Sequence, residues 1–240
     1  MHARHGKRFL NARLPIAALA LTLLTTAGAL AAPPDDRVLP VDQYTSPKAR
    51  TLGARYAAAL HDLNAAIYHC LPWLDVPKES IGFFRPKHLP QPRDDRYLAL
   101  RIYITQDASP QFAALTPEER ASAMFSRYVG AMLRRMTERR ELVADPLLDG
   151  FTVIVDWLKP ASQAEGRPVR ETIAVFADRP TVADYVAGRV TIRDLAARAS
   201  VFGFDGATPV GQLKIEAWED TFVTTFQIAN YRPEPGVTCR

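Results

Sequence analysis

Few residues of this chain have the types and spacing that chemistry needs. Beyond residue 32 there are three histidines, His61, His69 and His88. His61 and His69 stand eight apart on one predicted helix, whereas a shared metal needs a spacing of four on one face. His69 precedes Cys70, yet no third ligand stands at metal-site spacing. His61 and Asp62 are adjacent, and adjacent helical side chains point in different directions, so they form no acid–base pair. The acids Asp94-Asp95 and Glu219-Asp220 flank predicted strands and read as turn chemistry. The serine-nucleophile elbow, the His-Glu-x-x-His helix, the P-loop, the dinucleotide-binding glycine loop and Cys-x-x-Cys are all absent. Gly203 to Gly206, followed by Gly211, reads as glycine punctuation between strands. No catalytic set, metal site or cofactor is predicted. Carboxylates assembled only by folding would leave no spacing to read.

Three other features can carry function. The segment Ile81-Gly82-Phe83-Phe84-Arg85-Pro86-Lys87-His88 sets two aromatics beside three potential cations in a proline-stiffened connection. Phe83, Phe84, Arg85, Lys87 and His88 are therefore the candidate ligand- or partner-binding residues. The competing reading is a lid whose phenylalanines plug the core while the basic groups stay in water. Arg120, Arg127 and Arg134 recur every seven residues, a helical stripe that could meet anionic lipid. Glu118, Glu119, Glu138 and Glu141 on the same helix favour an ordinary solvated face. Cys70 and Cys239 are the two cysteines of the chain. Their pairing would pin a proline-rich C-terminal tail, residues 230–240, to the body.

Whether those cysteines can pair depends on compartment. Arg4, Lys7, Arg8 and Arg13 precede an apolar run, residues 16–24, and the small-residue end Ala29-Leu30-Ala31. This is the order of a Sec-type secretory signal peptide, residues 1–32, removed on export. The product would be periplasmic or secreted, where disulfides persist. The leader holds four of the 30 basic residues and none of the 26 acidic ones, so the remainder is balanced in charge. A balanced chain has no global field to attract nucleic acid. No further apolar run is long enough to span a bilayer.

The elements that must position these residues follow from periodicity. Residues 33–46 read as a flexible N-terminal arm. A helix is predicted over 47–71, capped by Ser46 with Pro47 at its first position and closed by Pro72. A long proline-rich connection, 72–96, follows. Residues 97–105 alternate as a strand, with Leu98, Leu100, Ile102 and Ile104 on one face. Thr116-Pro117-Glu118-Glu119 is a capping box. It opens a second long helix with Ala121, Phe125, Val129, Met132 and Met136 buried. Arg134, Arg135, Arg139 and Arg140 load its last turns. Strands are predicted over 151–158 and 170–177, short helices over 182–187 and 192–199, and strands over 201–204, 212–218 and 221–229. The order predicts a single α+β domain, residues 47–240. Its sheet is largely antiparallel, with five to six strands, and two longer and two short helices pack mainly on one face. The expected function is a binding or interaction module of the bacterial periplasm or exterior, with a protein or small molecule as partner. A hydrolase with acids or histidine brought together by the fold, and a membrane-surface protein using the arginine stripe, are the alternatives.

Overall fold

The computed structural model describes residues 32–87, 93–105, 109–159, 169–217 and Cys239, all within one compact unit, Ala32–Arg240. Helix α1 spans Pro47–Cys70, and the Ser46 hydroxyl accepts the Ala49 N–H as its cap. Leu52, Tyr56, Leu60, Leu63 and Ile67 recur at steps of three and four and are buried. Two short strands follow, β1 (Leu74–Asp75) and β2 (Gly82–Phe84), within the region expected to be a connection. Strand β3 (Tyr97–Ile104) leads to a helical run: α2 (Pro110–Ala113), α3 (Pro117–Met124), a π-helical turn over Phe125–Val129, α4 (Gly130–Met136) and α5 (Arg140–Ala144). Then come β4 (Gly150–Leu158), β5 (Arg170–Asp178), α6 (Arg179–Val186), α7 (Ile192–Arg198), β6 (Ser200–Asp205) and β7 (Thr208–Gln212).

The seven strands form one sheet in the order β1-β3-β4-β5-β6-β7. β1 and β2 share the outer edge of β3: Leu74 lies opposite Ile104, and Gly82 opposite Ala99. Only β3 and β4 run parallel, because the helical run between them carries the chain back to the same end. The other pairs are antiparallel. The fold is therefore the expected α+β arrangement with a mostly antiparallel sheet.

Alternation divides the sheet into two faces. One carries Leu98, Leu100 and Ile102 of β3, Phe151, Val153 and Val155 of β4, and Ile173 and Val175 of β5. These share a single core with side chains of α1, α3, α4, α6 and α7. The other face carries a separate cluster of Tyr97, Ala174 and Phe176, with Ile154, Phe202 and Phe204 packed against it and no helical residue in it. Gly150 is what lets Tyr97 lie flat there. A Cβ at Gly150 would fall 2.5 Å from the Tyr97 ring and 2.5 Å from the Ala177 carbonyl oxygen.

Several expectations are corrected. The N-terminal arm is packed rather than loose: Val38 and Tyr44 are buried, and Leu39 and Ile81 N–H groups bond to Ile81 and Arg37 carbonyls. The second long helix keeps its capping box and its buried stripe, yet it contains the π turn and stops at Met136. Thr137 ends it by donating its hydroxyl to the Leu133 carbonyl. Arg134 and Arg135 remain in its last turn, whereas Arg139 caps α5 and Arg140 opens it. The strand expected over 212–218 lies earlier, at Thr208–Gln212, because Gly206 with φ +60° turns β6 straight into β7. The expected strand 221–229 and its hairpin at Glu219-Asp220 lie outside the described residues, as does the leader. No helix among the described residues is long and apolar enough to cross a membrane.

Candidate functional site

β2 determines what the aromatic–basic segment does. Its pairing with β3 sets Phe83 opposite Leu98 and Phe84 opposite Tyr97. Consecutive strand residues face opposite ways, so the two phenylalanines part company. Phe83 enters the helix-side core, 1 % exposed and beside the Tyr56 ring. Phe84 turns to the opposite face, that of Tyr97 and Phe176. The arm holds this geometry in place: the Tyr44 hydroxyl accepts the Phe83 N–H at 3.1 Å. Gly53 and Gly82 make room for it, since a Cβ at either would fall 2.4 Å and 2.6 Å from the Tyr44 side chain.

On this face, which carries no helix among the described residues, the segment overhangs a cavity of about 510 Å³. Phe84, Arg85 and Lys87 line its wall, while Arg101, Ile154, Ala174, Phe176 and Phe204 form much of its floor. This volume lies within the range of small-molecule sites. Of the five candidate binding residues, the structure brings Phe84, Arg85 and Lys87 to the cavity and sends Phe83 to the core. His88 lies outside the described residues. Arg101, Phe176 and Phe204 were missed by sequence reasoning. Their signal was present as the polar-facing half of strand alternation, but nothing in it shows that the facing strands converge on one hollow.

The floor is graded along the strands. Around Tyr97 and Phe176 it is aromatic; burial, then Asp178, Asp95 and Asp149, pushes the Tyr97 phenol up to about 12. Toward the far end of β3 it is charged. Asp156, with no exposed surface, accepts Arg101 Nε at 2.7 Å and Nη2 at 2.8 Å, and the Thr172 hydroxyl donates to it at 2.6 Å. The Asp156 hydrogen bond raises the Arg101 pKa further and keeps it a cation. The Arg101 and Arg170 guanidiniums flank the Tyr103 ring at 5.2 Å and 4.3 Å.

The remaining sequence candidates stand apart from this cavity. Asp94 accepts the Ser46 hydroxyl at 2.5 Å, which holds its carboxyl below the usual range. Arg120 is not part of an exposed stripe. It is 7 % exposed and grips Glu171 through Nε at 2.7 Å and Nη2 at 2.5 Å, with Trp157 Nε1 donating to the same carboxylate at 2.8 Å. Arg127 and Arg134 lie over the Tyr128 and Tyr185 rings. Asp62 bonds Arg139 at 2.7 Å beside a cavity of about 150 Å³ that Glu138 also lines. His69 packs edge-on against Tyr68 and lines a third hollow, of about 320 Å³. Among the described residues no group of three His, Cys, Asp or Glu is placed to hold a metal ion. The Cys70 and Cys239 sulfurs sit at disulfide distance, 2.16 Å. No protein-family model, curated protein or solved structure matches the chain.

Proposed function

We propose that this chain is an exported binding module whose ligand site is the cavity beneath Phe84, Arg85 and Lys87. The observation that carries the reading is the hollow itself: about 510 Å³, floored by aromatic and aliphatic side chains and walled by cations. Among the described residues its lining includes one carboxylate, Glu79, which supports binding over paired-acid hydrolysis. The basic leader with its apolar run, and a cysteine pair suited to an oxidising compartment, support export.

The test is binding of the uncharged fluorophore N-phenyl-1-naphthylamine. Saturable one-to-one binding with a blue-shifted emission is expected. Phe84→Ser and Phe204→Ser each weaken it roughly 2- to 10-fold, the worth of one aromatic contact. Val210→Ser, at an exposed position on β7, leaves it unchanged. Absent saturation, or equal affinity in all three variants, refutes the reading.

A further inference from the structure

We infer that the ligand of this cavity is an amphipathic carboxylate, an acidic head on an apolar body of medium length. The inference rests on the cavity being the binding site. Among the described residues four cations line it, Lys78, Arg85, Lys87 and Arg101, against one carboxylate, Glu79. That carboxylate already has partners, Gln43 Nε2 at 3.4 Å and Lys78 Nζ at 3.8 Å. Counting also Asp156, which pairs with Arg101, the cations outnumber the carboxylates four to two around an apolar floor, and such a site favours an anionic head over a neutral or cationic one.

Arg101 is the residue that receives the head. Asp156 beneath it takes Nε and Nη2, and Thr172 anchors Asp156 in turn. The guanidinium plane is thus held before any ligand arrives, while the side chain keeps 40 % of its surface. Its Nη1 donors have no protein acceptor among the described residues. A planar, preorganised fork suits a planar carboxylate better than a flexible ammonium would. Among the described residues Arg170 Nη1 is buried without a hydrogen-bond partner, and its guanidinium lies over the same Tyr103 ring as that of Arg101. From the Arg101 end the apolar body runs across the strands over Ile154 and Ala174 and then along them to Phe176 and Phe84. The hollow, about 510 Å³, is within the size range of sites that take a ligand of medium length such as an eight-carbon chain.

The experiment is displacement of N-phenyl-1-naphthylamine by octanoate, 1-octanol and octylamine at pH 7.5. Octanoate should displace at a concentration at least 10-fold below octanol, and octylamine should be weakest. The preference should fade below about pH 5, where the carboxylate protonates, and shrink with added salt. Arg101→Gln combined with Asp156→Asn keeps a neutral hydrogen-bonded pair and orphans no buried charge; it should retain probe binding and lose the octanoate preference. Lys87→Gln should reduce the preference about 2- to 3-fold. Equal displacement by octanoate and octanol, or an undiminished preference in the double variant, overturns the inference and leaves the binding site standing. Failure of the probe to bind overturns both.

Discussion

Replacing Arg120 by Met should cost this domain about 3–5 kcal/mol, the usual consequence of breaking a buried ion pair from one side. Arg120 and Glu171 are each 7 % exposed. Arg120→Met removes two charge-assisted bonds from Glu171 and leaves it, among the hydrogen bonds of the described residues, that of the Trp157 indole N–H. It also removes the bond from Nη1 to the Leu115 carbonyl, which ties the start of α3. A domain of this size loses about 2–4 °C of melting temperature per kcal/mol, so a drop of about 6–20 °C is expected. The double variant Arg120→Met with Glu171→Leu removes both charges together. It should recover most of the loss, short by about 1–3 kcal/mol for the Trp157 N–H left without an acceptor. Urea unfolding of the oxidised protein, followed by far-ultraviolet circular dichroism, gives all the free energies of the cycle. A single variant within 0.5 kcal/mol of the parent, or single effects that add in the double, would refute the account of a desolvated, coupled pair.

Asp145 and the cysteines give two further predictions. Burial pushes the Asp145 carboxyl up, but the Leu147 N–H, the Tyr56 hydroxyl and the Arg55 guanidinium outweigh it and hold the pKa below the usual value. A depressed acid stabilises the fold above its unfolded pKa, about 3.9, and loses that contribution as pH falls through the folded value. Asp145→Asn should therefore lower stability at pH 7 and flatten the decline below about pH 4; an acid limb parallel to the parent's would contradict this. The disulfide closes a sequence separation of 169 residues, for which chain entropy sets a ceiling near 5 kcal/mol. Cys70→Ser should lower the melting temperature in that measure, and thiol titration of the denatured, unreduced protein should find no free thiol. Two free thiols would show the pair open.

Local signals carried much of the architecture. Ser46-Pro47 and the apolar steps from Leu52 to Ile67 specify α1 because capping and a 3.6-residue period act within one element. Thr116 with Glu119, and Thr191 with Asp194, each form a capping box, since each involves four neighbouring residues. Alternation in β3 is equally local. The site was half legible: the segment 81–88 could be singled out by composition, but composition could not separate Phe83 from Phe84. Only the register of β2 on β3 does that, and register is a long-range choice. Arg120 shows the same limit from the other side. Its helical position matches an exposed stripe, and what buries it is Glu171, 51 residues away.

What the sequence by itself determined is which of the longer segments become helix or strand, which face of each is apolar, and that two cysteines are available to pair. Those follow from backbone propensity and side-chain periodicity over a few residues. Tertiary structure decided the rest. It chose the edge of β3 as the place for β1 and β2 and seated Tyr44 against Gly53 and Gly82. It also set Arg101 over a fully buried Asp156. Each of these joins residues far apart in the chain, where packing and the desolvation of charge, rather than local preference, determine which contacts survive.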